Sequence, residues 1–187
     1  MIGRTGIILC CAAIFAASPV SAKPWIVDYD HSRLGFTGWQ GKEAFQGSFK
    51  SFQAVIDFDA AAPQQGKISA TITTASASTG DKERDTYLPQ AEWFNPKTFP
   101  DAKFTSQSIR ATAGGGYIAS GTLTIKDMTL PVDLPFTLKQ DKDAWHATGK
   151  LTIRRSDYHV GIGDWGTEDY VKFPVEISVD LTAKPSP

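Results

Sequence analysis

After residue 11 the chain contains no cysteine: its only two, Cys10 and Cys11, lie near the start, and methionine and histidine are almost as scarce, at 2 and 3. No disulfide can brace the body, and a zinc site would need carboxylates that no spacing here arranges. His31, His146 and His159 stand far apart and carry no paired metal spacing. There is no Gly-x-Ser-x-Gly elbow, no phosphate-cradling loop with a Lys-Ser/Thr ending and no dinucleotide fingerprint. Nor is there an excess of either charge, since 19 Lys and Arg face 20 Asp and Glu. That balance leaves no electrostatic footprint for nucleic acid or for an anionic membrane surface.

Long apolar runs are missing too. The one candidate, Ile7 to Ala17, falls short of the roughly 20 residues a membrane span needs. With Arg4 before it and Val20-Ser21-Ala22 after it, the segment 1–22 reads as a secretory signal peptide. Cys10 and Cys11 follow Leu9 and Cys10 rather than the small residue typical of lipid attachment, so cleavage leaves no stable membrane anchor. The expected product is a periplasmic body, residues 23–187, with 18 basic against 20 acidic residues and no thiol. At that length one domain buries enough surface to fold alone, roughly 70% of its unfolded area.

What is abundant is alternation. Val171, Phe173, Val175, Ile177, Val179 and Leu181 interleave with polar residues from Tyr170 to Leu181, which puts six apolar side chains on one face of a strand. Trp25–Asp28 with His31–Trp39 reads as an interrupted opening strand. Phe52, Ala54, Ile56 and Phe58 share a face, as do Ile68, Ala70 and Ile72. The same pattern runs through Lys103 to Ala111, then Tyr117 to Ile125 after the Gly114–Gly116 turn, Leu130 to Leu138, and Trp145 to Ile153. Pro131 and Pro135 cannot donate to a ladder, so their strand is expected to be an edge or weakly paired. About eight antiparallel strands result, all-β, and closure into a barrel is favoured over a sandwich because it removes exposed edges.

One stretch breaks the pattern. Asp81 to Phe94 opens with charged helix formers and is interrupted by Pro89, which predicts a short helical insertion. Across a barrel mouth it would act as a lid, with Trp93 and Phe94 toward the interior and an Arg84–Asp85 pair holding the helix; a plug that merely fills the end is the alternative. Arg84 with Asp85, and again Arg154, Arg155 and Asp157, are charged clusters expected to form ion pairs and to cap helix or strand ends, with contact to a ligand headgroup as the alternative. Asp30-His31-Ser32 holds the residue types of a hydrolytic triad, but consecutive residues on a strand point to opposite faces and cannot converge.

The order of many weak motifs carries more than any one of them. Trp25-Ile26-Val27-Asp28, His31-Ser32 and Phe36 come first, then Gly47, Phe49 and Phe52, then Asp81, Arg84-Asp85, Leu88 and Trp93-Phe94. Phe99-Pro100, Phe104-Thr105-Ser106, Gly121-Thr122-Leu123-Thr124-Ile125, Arg155 and Asp157 follow. The series closely resembles the YceI-like family over the whole mature chain. Only the segment Gly161–Asp169 is more elaborate than the plain glycine turn of many relatives.

The resemblance implies an extended lipocalin-like barrel that holds a polyprenyl chain or an isoprenoid quinone, with no catalytic residue, metal or cofactor. A homodimer is left open. Phe36, Phe52, Ile72, Phe104 and Leu123 are the expected lining, with Trp93 and Phe94 above them. Two other readings stand beside it: a side-chain-filled barrel that serves as an interaction domain, and an enzyme acting on such a lipid with His31 or Asp85 as acid or base.

Overall fold

The computed structural model describes residues 24–186, so the leader expected at 1–22 lies outside the described residues. Ten strands form one antiparallel sheet: β1 (Trp25–Gln40), β2 (Glu43–Phe49), β3 (Phe52–Asp57), β4 (Lys67–Thr73), β5 (Ala77–Ser78), β6 (Asp101–Ala111), β7 (Tyr117–Ile125), β8 (Met128–Asp141), β9 (Ala144–Arg154) and β10 (Pro174–Pro185). Their spatial order is β3-β4-β6-β7-β8-β9-β10-β1-β2-β5. The sheet curls into the expected lipocalin-like barrel, with ten strands rather than about eight. β3 returns to the start of β1 through a bridge between Pro24 and Asp57, and the indole N–H of Trp25 donates to the Phe58 carbonyl at 2.7 Å.

Local chemistry explains the connections. Gly41-Lys42, Lys126-Asp127 and Lys142-Asp143 are two-residue turns that each begin with a positive φ, the geometry that suits the twist of the flanking strands. The break expected inside β1 is a bulge between Asp28 and Arg33, pinned because Ser32 Oγ accepts from Thr182 N–H on β10. Gly47 lies beneath the ring of its partner Phe36, where any Cβ would collide with the aromatic carbons.

Pro131 and Pro135 mark a local edge inside the sheet. All of Met128–Phe136 pairs with β7, yet β8 pairs with β9 only from Phe136↔Gly149 to Asp141↔Ala144. The two strands part beyond that point, and Pro131, Asp133, Pro135, Lys150 and Thr152 border the groove between them. The proline half of β8 thus has a ladder on one side and none on the other, as an edge does.

The end of the chain departs from expectation in one respect. β10 begins at Pro174, not at Tyr170. Val171 bridges to Gln40, whereas Phe173 lies against the guanidinium groups of Arg154 and Arg155 at 4.9 and 5.2 Å. The alternation continues past the true start of the strand because a loop can share the barrel's inside and outside without sharing its ladder.

Candidate functional site

Inside the barrel are two adjoining spaces. The inner chamber, about 160 Å³, is bounded only by Ala, Gly, Val, Leu, Ile, Phe and Trp residues. One water needs roughly 10–15 Å³ by the same kind of measure, so the interior is hollow and not a side-chain-filled core. The outer chamber, about 330 Å³, carries Gln40, Thr79, Asp81, Glu83, Arg84 and Tyr158 among its apolar walls. Phe49, Phe94, Ile125 and Ile177 border both. The rings of Phe49 and Phe94 meet edge-on at 5.6 Å and form the partition.

Strand register builds the inner chamber. Phe52 is paired with Ile72 on β3–β4, and Phe104 with Leu123 on β6–β7, so four of the expected lining residues are two cross-strand pairs that project inward. Phe36 faces the outer chamber, as does Trp93, and Phe94 touches both. All seven residues singled out from the sequence therefore border the hollow.

The outer chamber is closed by two non-strand segments. The first is α1 (Lys82–Tyr87), where Asp81 caps the helix by accepting from Arg84 N–H at 3.0 Å. The expected Arg84–Asp85 pair does not form, since neighbours on a helix point about 100° apart. Arg84 instead pairs with Asp81 at 3.4 Å, bonds Gln40 and covers the Phe45 ring at 4.8 Å. Asp85 accepts from the backbone and hydroxyl of Thr79, both at 2.7 Å, and from the Ser78 hydroxyl at 2.8 Å. Partial burial pushes its carboxyl pKa up, but these hydrogen bonds outweigh that and hold it below the usual value.

Arg155 organises the second segment. Its side chain is 3% exposed and donates six hydrogen bonds, all to backbone carbonyls: Lys172, Val160, Gly161, Trp165, Thr167 and Val171, at 2.7 to 3.2 Å. The expected ion pair exists only for Arg154, at 3.8 Å from Asp157. Burial lowers the Arg155 pKa and Glu168 opposes the shift. Gly161, at φ 72°, brings its backbone against the guanidinium where a Cβ would collide. Gly161 and Ile162 also donate to Glu92, which ties this segment to the helical insertion. Trp165 then packs on Tyr87, Trp93 and Tyr170 with ring centroids 5.1, 5.5 and 5.9 Å away.

Neither residue offered as an acid or base borders the hollow. The His31 ring is exposed on the β1 bulge beside Asp28, and the Asp85 carboxylate is occupied by Thr79 and Ser78. Phe45, Phe49, Val160 and Trp165 also line the outer chamber. The alternation Phe45-x-Gly47-x-Phe49 could have flagged the first two, whereas Val160 and Trp165 sit in a loop with no period.

This barrel, with one wholly apolar chamber and one of mixed lining beneath a cap, has clear relatives. The sequence model of the YceI-like domain matches residues 25–183, so the chain belongs to the YceI-like family. It is 30% identical to a UPF0312 protein of Photorhabdus laumondii over 88% of this chain and 91% of that one. Its structure is similar to that of Burkholderia cenocepacia BcnA, at 34% identity and a TM-score of 0.82, covering 85% of this chain and all of the other. A polyisoprenoid-binding domain from Saccharophagus degradans shares the fold at 15% identity and a TM-score of 0.64, over 87% and 98% of the two chains.

Proposed function

We propose that this protein is a periplasmic carrier that holds an isoprenoid lipid, a polyprenyl chain or an isoprenoid quinone, in the barrel. The observation that carries the reading is the inner chamber, whose lining contains no polar side chain apart from the indoles of Trp25 and Trp145. A branched hydrocarbon chain gains roughly 0.8 kcal/mol for each buried CH₂ and asks for no hydrogen-bond partner, which is what such a wall offers. A polar or charged ligand would lose its water there with nothing in return. The fold shared with the Saccharophagus degradans polyisoprenoid-binding domain supports the reading at the level of architecture.

The same walls support binding over catalysis, since among the described residues the inner chamber's lining carries no acid, base or nucleophile. The cap formed by α1 and the Arg155-held segment is the lid of this carrier, with Phe94 as its inner face. Purification without detergent from the native host, solvent extraction and mass spectrometry test the proposal. The expected result is a co-purified isoprenoid lipid near one molecule per chain; a lipid-free protein that also fails to take up squalene would overturn it.

A further inference from the structure

Between β8 and β9 runs a stretch of barrel wall that no ladder closes. We propose that this seam is a lateral passage through which the apolar tail enters and leaves the inner chamber while the cap stays shut. The inference rests on the carrier reading above and adds a route of exchange to it.

Two prolines keep the seam open. The Pro135 carbonyl faces Gly149 on β9, where an added Cβ would come within 2.8 Å of it. A strand turns the backbone N and O of every second residue to the same side, so Pro131, Asp133 and Pro135 all face the seam, with three carbonyls and a single N–H. With two of three donors missing, the ladder cannot continue past Phe136. Among the described residues no backbone hydrogen bond joins Met128–Pro135 to Lys150–Arg154. No ion pair does so either, since Lys150 turns to Glu176 on β10 at 2.8 Å. The two ends are fixed, one by the Phe136↔Gly149 pair and the other by Lys126, whose ammonium donates to the His159 carbonyl at 2.7 Å. The seam is a slot held at its ends and free in its middle.

Val132 and Leu151 border the inner chamber on one side and the groove of the seam on the other. At this point two aliphatic residues are the wall, and turning their side chains aside breaks no hydrogen bond. The cap is the costlier way out. Lifting it breaks the six bonds of Arg155 and the two from Gly161 and Ile162 to Glu92, and it parts Trp165 from Trp93. A second groove, at the β1 bulge, shares Leu34, Phe49 and Phe52 with the chamber. Tyr29 bars it, with its ring 5.5 Å from that of Phe52 and its hydroxyl accepting from Ala54 N–H. A hydrocarbon chain sliding between Val132 and Leu151 stays on apolar surface, and Asp133 and Lys150 mark the outer rim.

Two cysteine pairs separate the routes, and the processed chain has no other thiol to react. Asp133→Cys with Thr152→Cys spans the seam on its outer side, and Glu92→Cys with Ile162→Cys ties the two halves of the cap. Each pair is bridged by a short bis-methanethiosulfonate that dithiothreitol removes, so every protein is its own control. Radiolabelled squalene is exchanged with methyl-β-cyclodextrin, a soluble acceptor, in both directions. The seam bridge slows uptake and release together by about tenfold or more and leaves Kd in place, because entry and exit share one passage; reduction restores both rates. The cap bridge moves neither rate by more than about twofold. Thermal unfolding accompanies each variant, and Asp133→Cys with Lys150→Cys replaces the first pair if that does not fold. Rates unmoved by the seam bridge, or slowed as much by the cap bridge, overturn the lateral passage and leave the carrier reading intact. Failure of the unbridged native protein to bind squalene overturns both.

Discussion

Replacing Arg155 by Met should detach the cap without unfolding the barrel. The substitution keeps most of the aliphatic stem and removes six hydrogen bonds, three of them to carbonyls in buried surroundings, those of Val160, Gly161 and Val171. Each buried carbonyl left bare costs about 1–3 kcal/mol, so the three together cost about 3–9 kcal/mol. A domain has only about 5–15 kcal/mol of stability in all, and releasing the loop is a cheaper escape than leaving those groups unpaired. Loop opening therefore caps the measured loss, which we expect at about 3–5 kcal/mol, the range found when one partner is removed from a buried charged contact. Urea unfolding gives that number, and hydrogen–deuterium exchange shows where it falls. Residues 159–172 should exchange fast while the β6–β7 amides keep their protection. Arg155→Lys retains the charge but reaches at most three carbonyls and should recover less than half of the loss. A loss under about 1 kcal/mol with unchanged exchange in 159–172 would refute the reasoning, because it would mean that the six bonds do not hold the cap.

Leu123→Asp should abolish lipid uptake, since it puts a carboxylate on a wall that offers it no partner; full binding by a folded variant would show that this face is not the lining. The Asp85 carboxyl titrates below its ordinary value of about 3.9, so its hold on Thr79 and Ser78 is complete above that pH and is lost as pH falls through the lower, folded-state value. Asp85→Asn should therefore weaken the protein at neutral pH, and its deficit against the native chain should shrink below pH ~4; a deficit constant across the acid range would argue against the assignment. N-terminal sequencing of periplasmic protein should begin at Lys23, and recovery of Met1 from that fraction would refute the leader.

The barrel and its lining were readable because a two-residue period has one physical cause, a sheet with water on one side. Phe52, Ile72, Phe104 and Leu123 needed only their parity to be placed, and the register then brought them together as pairs. Pro131 and Pro135 were readable for a related reason. A residue without an N–H weakens a ladder wherever it falls, and here the ladder to β9 stops at Phe136, immediately after the second proline. Parity says nothing of where a strand begins, so Val171 and Phe173 share the alternation of β10 although pairing starts at Pro174.

The contacts that hold the cap were hidden for the opposite reason. Arg84 beside Asp85, and Arg155 near Asp157, invite ion pairs on paper, but side-chain charge does not choose the partners. On α1 the helical turn sends Arg84 to Asp81 and Asp85 to Thr79. At the end of β9 the partners of Arg155 are backbone carbonyls, which every residue possesses and no composition reveals. Glycine at 161 is the one local clue, and its meaning appears only once the guanidinium stands against it. The division has a functional consequence. On the proposed reading, apolar parity along the strands is enough to hold a hydrocarbon tail, while the polar side chains of the outer chamber are placed mainly by α1 and by loops without period. Two chains with the same strand pattern can thus share the inner chamber and differ in the outer one.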